Sequence, residues 1–394
     1  MIPSRRFGRT ELAMPVLTCG GMRYQHSWKD DDAEAIPADN QRNLEATVAR
    51  ALELGINHIE TARGYGTSEV QLGRILPRLP RDKMIVQTKV APDGDGAAFR
   101  ETFEKSMANL RLDHVDLLSL HGINNRELLE NALKPGGPLA VARQLQREGR
   151  VRFIGFSTHG ACDVISETIR TGAFDYVNLH WYWVNRSNGE AIRAATKQDM
   201  GVFIISPNDK GGKLYEPPEK LRELCAPLSP MAFNNLFCLD NPDIHTLSIG
   251  AARPSDFDGH VASLALLDRA EPLVQEISGR LRNAMEASLG ADWVAHWQEG
   301  IPQWETCPGG INVWEILRLW AFARSLDMVA FAKMRYNLLG QAAHWFPGKN
   351  AAEFSDAEML AALAGSPFRE KIPDLLREAH AMLFEKPAER LGKS

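Results

Sequence analysis

Hydrophobic residues follow two alternating rhythms through the first two thirds of this chain. Short continuous apolar runs, rich in β-branched and aromatic residues, are separated by polar stretches whose apolar positions recur at helical spacing. The runs read PVLTCGG, NHIETA, MIVQTKV, VDLLSLHG, RFIGFSTHG, YVNLHWYW, GVFIISP and HTLSIG. Each reads as a buried strand. Between them, residues 43–54 place Leu44, Val48, Ala51 and Leu52 on one helical face and stop at Gly55. Thr67, Ser68 and Glu69 open a second helix, and Cys162 and Asp163 precede a helical VISETIR that ends at Gly172. Eight such alternations predict an α/β fold of the (β/α)8 TIM barrel type. An open doubly wound sheet would more often carry a Gly-rich phosphate loop after its first strand, and GGMRYQ lacks that spacing. Residues 1–13 turn at Gly8 and Arg9, which predicts a short hairpin plugging one barrel end.

The alternation stops near Leu267. Residues 271–288 and 313–339 then read as helices, with Trp314, Leu317, Trp320, Phe322 and Phe331 supplying apolar bulk. The expected organisation is a barrel over residues 1–267 and a mostly helical unit over 268–394. A length of 394 residues agrees, since it exceeds a barrel of about 250 residues by roughly one small domain.

Composition narrows the class. A hydrophobic share of 44% with 24% charged residues suits a soluble globular protein, and a net charge of -5 gives no electrostatic case for nucleic acid or an anionic membrane surface. No apolar run approaches the roughly 20 residues of a membrane helix. Arg5 and Arg6 are followed by Phe7, Gly8, Arg9 and Thr10 where a signal peptide would place an apolar stretch, so a cytoplasmic protein is expected. Cys19, Cys162, Cys225, Cys238 and Cys307 are scattered and odd in number, with neither a disulfide framework nor zinc-site spacing.

The candidate chemistry lies at the strand ends. Glu60, Tyr65, Lys89 and His121 emerge from or just beyond three successive predicted strands, on the side where a parallel barrel assembles its active site. An ordinary phenol, with a pKa of about 10, is a poor proton donor near neutrality, and an adjacent ammonium lowers that pKa by favouring the phenolate. A carboxylate would hold the ammonium, and an imidazole could orient a carbonyl oxygen. Taken singly, each residue has an ordinary structural explanation; their order and strand placement together point to carbonyl reduction. Tyr24, Trp28, Trp181 and Trp183 are candidates for an aromatic pocket wall.

The segment GINHIETARGYGTSEVQLGRIL resembles the second strand and loop of the aldo-keto reductase superfamily, and VQTKV, LSLHG, VRFIGFSTHG, FDYVNLHWYWVN and GVFIISP are similar to its later strands in order. The resemblance implies a (β/α)8 barrel, NADPH or NADH as hydride donor, a small-molecule carbonyl substrate, Tyr65 as proton donor, and Lys89 and His121 as its partners. It departs from the family at Glu60, where an aspartate is usual. By the same resemblance, Gly21 and Met22 border the nicotinamide, and Ser157, Thr158 and Asn178 hold its carboxamide. Ser206, Pro207 and the loop from Lys210 to Lys213 wrap the pyrophosphate. Gly250 and Arg253 meet the adenosine phosphate, Arg253 favouring a 2′-phosphate. Ile205 stands where an aromatic commonly stacks, and His260 where an asparagine commonly contacts adenine. The family also includes regulatory uses, so a nicotinamide-binding sensor or interaction protein is the second reading.

The tail holds a weak internal repeat. Aligning Cys307 with Ser366 brings Leu317-Arg318 and Leu376-Arg377 into register. A Cys-Pro opening to a helix ends the bacterial ferredoxin cluster run, and 307–348 resembles the C-terminal region of a bacterial aldo-keto reductase branch bearing a ferredoxin-like module. With the upstream cysteines missing and Ser366 in place of the second, the resemblance implies a degenerate module without an iron–sulfur cluster. Oligomeric state is not readable from the sequence.

Overall fold

The computed structural model describes residues 2–389. Among the described residues, ten strands form two sheets. The first is the predicted hairpin: β1 (Ser4–Arg6) pairs antiparallel with β2 (Ala13–Pro15). The other eight strands are parallel and close into a barrel. They are β3 (Leu17–Gly20), β4 (His58–Glu60), β5 (Ile85–Val90), β6 (Val115–His121), β7 (Val151–Ser157), β8 (Tyr176–Leu179), β9 (Gly201–Ile204) and β10 (Thr246–Ile249). Each pairs with its neighbour in sequence, and β10 returns to β3. All eight apolar runs are therefore strands, buried throughout except at Arg152 and Phe153 near the start of β7.

Helices alternate with the strands along the chain, among them α1 (Ala38–Glu53), α2 (Ser68–Gly73), α3 (Gly96–Leu110) and, after four more that include α6 (Cys162–Arg170), α8 (Glu219–Cys225), α9 (Pro230–Asp240) and α10 (Asp256–Leu264). Helix α1 buries Leu44, Val48 and Ala51, the stripe read from its spacing. The hairpin does close one barrel end: Phe7 is fully buried and packs with Met14, Ile85, Leu117, Tyr176 and Phe203.

Above that apolar floor the barrel interior turns polar. Thr18 Oγ1 lies 2.8 Å from both His58 Nδ1 and Thr246 Oγ1. Gln87 Nε2 donates to Ser119 Oγ at 2.9 Å, and Ser119 Oγ lies 3.0 Å from the Tyr176 hydroxyl. Successive side chains of a strand alternate between faces. The next inward residues are therefore Gly20, Glu60, Lys89, His121, Asn178 and Ser248, each two positions further toward the strand's carboxyl end.

The chain divides into two compact units. Among the described residues, one comprises those through Gly211 together with Asn234–Ala270; the other comprises Gly212–Phe233 and residues 271–389. The second unit thus includes a segment from the loop after β9, which the expected boundary at residue 267 had assigned to the barrel. Its helices include α11 (Ala270–Leu289), α12 (Ala291–His296), α13 (Val313–Leu326), α14 (Val329–Tyr336), α15 (Asp356–Ala362) and α16 (Ile372–Leu383).

The helical stretch expected over 313–339 forms two helices. Asp327 adopts a left-handed φ of 55°, caps α13 through its N–H to the Phe322 carbonyl, and turns the chain before α14. Aromatic rings fill this unit's core: Trp293 meets Phe368 at 4.8 Å and Trp320 at 5.7 Å, and Trp297 meets Trp314 at 5.8 Å. Among the described residues, no helix is long and apolar enough to cross a membrane.

Burial makes the barrel unit sensitive to acid. His58 is pushed down to about 3 and His260 to about 4 from an ordinary 6.5, in both cases chiefly by desolvation. Both rings are neutral in the folded protein near pH 7, so the unfolded chain takes up protons first as pH falls. Their contribution is complete above about pH 6.5 and is lost below it, each ring approaching about 1.4 kcal/mol per pH unit. Between pH 7 and pH 5 the pair should cost roughly 4 kcal/mol in urea denaturation, and His58→Gln should remove about half of that difference. A barrel transition equally stable at both pH values would contradict this account.

Candidate active site

The loop after β4 fixes Tyr65. The Thr61 N–H donates to the Gln87 carbonyl and the Arg63 N–H to the Lys89 carbonyl, both at 2.9 Å, so the chain leaves β4 still held to β5. The Tyr65 N–H then turns back onto the Ala62 carbonyl at 3.0 Å. Gly66 follows with a φ of 52°, and a Cβ there would lie 2.1 Å from the Ser27 carbonyl oxygen. Only glycine fits both the dihedral and the approach. Buried Glu69 completes the brace, accepting from Thr88 Oγ1 at 2.6 Å and pairing closely with Arg63.

Three of the four candidate groups meet directly. Lys89 and Glu60 are almost fully buried and form a close ion pair between Nζ and Oε1. Lys89 Nζ also donates to the Thr61 carbonyl at 2.9 Å and to the Tyr65 hydroxyl oxygen at 3.3 Å. The Tyr65 hydroxyl donates to Glu60 Oε1 at 3.4 Å. The fourth group, the buried His121 ring, stands edge-on to the phenol with centroids 5.9 Å apart. Burial pushes the Lys89 pKa well below its ordinary value. The adjoining carboxylate acts in the opposite sense, because an opposite charge in contact favours the ammonium. A phenol whose oxygen accepts from an ammonium can lose its proton more readily than a solvated one.

The candidate cofactor positions are more varied. Asn178 is fully buried, and both its Oδ1 and Nδ2 have no hydrogen-bond partner. Such an amide is costly unless something completes it, and a carboxamide presents the complementary donor and acceptor. Ser157 Oγ accepts from the Gly122 N–H at 3.1 Å, leaving its own O–H to donate. Thr158 is more committed: its hydroxyl donates to the Ile123 carbonyl at 2.7 Å and accepts from the Gly160 N–H at 2.9 Å. The Gly21 N–H donates to the Glu60 carbonyl at 2.7 Å, which seats Met22 at the barrel mouth. Ile205 is nearly buried beyond β9. Ser206 takes a left-handed φ of 52°, and the chain turns at Pro207 so that the Lys210 N–H reaches the Ser206 carbonyl at 3.2 Å.

The basic residues do not act as one set. Lys210 Nζ lies 3.2 Å from both ring nitrogens of His159 and 3.4 Å from His180 Nε2. Lys213 belongs to the second unit and pairs with Glu216 at 2.6 Å. Arg253 is exposed and pairs with Asp256 at 3.1 Å. The methylenes of Arg23 lie against Gly250, and its guanidinium is 3.7 Å from Asp209. His260 is fully buried between Asn208 and Asn235, at 3.1 and 2.9 Å, and serves that internal network. Of the aromatic candidates, Trp28 approaches the Tyr65 ring edge-on at 6.2 Å. Tyr24 is sealed beneath Gly21, Trp181 stacks on Phe237, and Trp183 lies under Arg186.

Sequence reasoning missed His159, His180 and Ser248. A signal was present, because each lies two positions beyond a residue of β7, β8 or β10 that faces the interior, and alternation carries the same face outward.

The sequence pattern described as the aldo/keto reductase family matches residues 16–215. Among curated relatives, the NADH-specific methylglyoxal reductase of Escherichia coli (strain K12) is 27% identical over 187 residues, covering 42% of this chain and 56% of that protein. The L-galactose dehydrogenase of Arabidopsis thaliana is 31% identical over 181 residues, covering 40% and 56%. The chain thus spans about half the length of these relatives. An aldo-keto reductase from Klebsiella pneumoniae, solved in complex with NADPH, shares the fold with a TM-score of 0.56 at 18% identity, covering 70% of this chain and 94% of that one. The match runs from just before β3 through β9, across the loop that carries Tyr65 and the strand ends that carry Lys89 and His121, and the chain belongs to the aldo/keto reductase family.

Proposed function

We propose that this chain is an NAD(P)H-dependent oxidoreductase that reduces an aldehyde or ketone to an alcohol, with Tyr65 as the proton donor. The observation that carries the reading is the convergence of the Tyr65 hydroxyl, Lys89 Nζ and Glu60 Oε1 beside the His121 ring. A reduced nicotinamide, when bound, supplies hydride to the carbonyl carbon. Asn178 and Ser157 would hold its carboxamide, since the buried Asn178 amide has hydrogen-bonding capacity to complete. The carbonyl oxygen gains negative charge as hydride arrives and takes the proton from Tyr65. For that transfer the hydroxyl hydrogen rotates from Glu60 Oε1 toward the substrate, while Lys89 stabilises the phenolate left behind. His121 orients the same oxygen, and Trp28 walls the pocket beside the phenol. A nicotinamide-binding sensor would use the same barrel without turnover; the intact Glu60–Lys89–Tyr65 set favours the enzyme.

Tyr65→Phe keeps the ring and removes the proton. Cofactor affinity should hold while kcat falls by about 10²–10⁴-fold, the usual worth of a general acid. Steady-state rates with a panel of aldehydes test this, and a variant as fast as the wild type would remove Tyr65 from the role.

NADPH is the proposed donor, with NADH as a weaker substitute. Arg253 and Lys210 supply positive charge in the barrel unit, although Asp256 already engages Arg253. The preference should therefore be modest at low salt and shrink further at high salt, since exposed charges are screened. Fluorescence titration of both cofactors against wild type and Arg253→Gln measures it. Equal dissociation constants at low salt would take the 2′-phosphate away from Arg253.

The helical tail is proposed to be a degenerate ferredoxin-like module within a 268–394 domain. Support comes from the repeat: α13 starts at Val313 and α16 at Ile372, each six positions beyond the aligned Cys307 and Ser366. Each helix carries an acid–arginine pair three residues apart, Glu315 with Arg318 and Asp374 with Arg377. A cluster needs thiolates, usually four, and Cys307 is the only cysteine beyond Cys238. Anaerobically purified protein should contain no stoichiometric iron or acid-labile sulfide, and Cys307→Ser should leave activity nearly unchanged. About four irons per chain would overturn the reading.

A further inference from the structure

Glu60 carries one methylene more than an aspartate, and that length is taken up in a definite way. Its two oxygens do different work. Oε1 faces Lys89 and Tyr65, whereas Oε2 turns away and accepts from Ser248 Oγ at 3.1 Å. Ser248 lies on β10 and Glu60 on β4, and β3 stands between these strands in the ring. The hydrogen bond therefore crosses over an intervening strand, at Gly20. A Cβ at Gly20 would sit 2.6 Å from Ser248 Oγ and 3.3 Å from Glu60 Oε2. The bare glycine leaves the gap in which serine and carboxylate meet.

We propose that Ser248 is a positioning residue of this site: its hydroxyl, lodged in the gap over Gly20, anchors Glu60 Oε2 so that Oε1 stays on Lys89 and Tyr65. The inference rests on the reading of Tyr65 as proton donor. It also explains how the barrel accommodates a longer carboxylate without losing the ion pair. Pulled back by one bond, about 1.5 Å, an aspartate carboxylate could not span to both Lys89 and Ser248. Gly20, Glu60 and Ser248 thus form one unit whose parts make sense only together.

A double-mutant cycle tests this. Ser248→Ala should lower kcat about tenfold, as expected for losing a hydrogen bond to a charged group, with cofactor dissociation constant and fold unchanged. It should also raise the pKa of the Tyr65 phenol, because an unanchored carboxylate no longer holds the Lys89 ammonium against the phenol oxygen and the phenolate loses that stabilisation. Ultraviolet difference titration of each protein against its own Tyr65→Phe version reads that pKa without turnover. Ser248→Thr, which keeps the hydroxyl, should retain most of the rate. In the Glu60→Asp background, Ser248→Ala should change kcat less than twofold, since the shorter carboxylate no longer reaches β10. Equal losses in both backgrounds, or a Ser248→Ala enzyme within twofold of wild type, would overturn the proposal. Should the phenol pKa move as expected while Tyr65→Phe leaves turnover intact, the positioning role stands and the proton-donor reading fails.

Discussion

Lys89 and Glu60 are nearly inaccessible to solvent inside a closed barrel, so neither can carry its charge without the other. Desolvation costs several kcal/mol per ion, and only close contact with further hydrogen bonds offsets it. Those further bonds are present: Thr61 accepts from the ammonium, Ser248 donates to the carboxylate, and Tyr65 bonds to both partners. The phenol therefore has its place because it satisfies valences that the ion pair leaves over. Removing either charge would strand the other and pull Tyr65 from position, so the stability of the barrel mouth and the acidity of the phenol depend on one interaction. A buried pair of this kind is weak evidence for stability in general. What distinguishes this pair is that Lys89 Nζ and Glu60 Oε1 both also meet the Tyr65 hydroxyl.

The geometry that delivers these groups is a repeat of two residues applied to a closed ring of strands. Thr18, His58, Gln87, Ser119, Tyr176 and Thr246 make the hydrogen-bonded layer below. Two positions on, the same strands present Gly20, Glu60, Lys89, His121, Asn178 and Ser248. A slip of one residue in any strand would turn its functional group outward to the helices. The lower layer resists such slips, because its side chains bond strand to strand and have no second set of partners. Neutral His58, held between Thr18 and the barrel interior, is part of the device that keeps Glu60 in register.

This explains what could be read from sequence. The barrel was legible because each strand is a continuous apolar run, and Glu60, Lys89 and His121 were legible because they interrupt such runs at their ends. Ser248 was overlooked, since alternation turns it inward but only the closing of β10 onto β3 beside β4 brings it to Glu60. The partners of His260 were hidden for the same reason: Asn208 and Asn235 meet it only through the fold. Asp327 lacks the Gly or Pro that usually announces a break. It nevertheless belongs to the few residue types that tolerate the left-handed conformation, so the split of the 313–339 segment had a signal too faint to outweigh the apolar periodicity around it.

The second unit draws its cohesion from a buried ion pair and packed aromatic rings. Glu315 and Arg318 are buried and pair at 2.5 Å, with Arg318 also over Trp314 and Phe322. The equivalent Asp374–Arg377 pair is exposed, where an isolated ion pair contributes about 1 kcal/mol or less. The two segments thus differ in environment while sharing helix start and charge register. Much of the unit's cohesion comes from aromatic rings, Trp293 against Phe368 and Trp320 and Trp297 against Trp314.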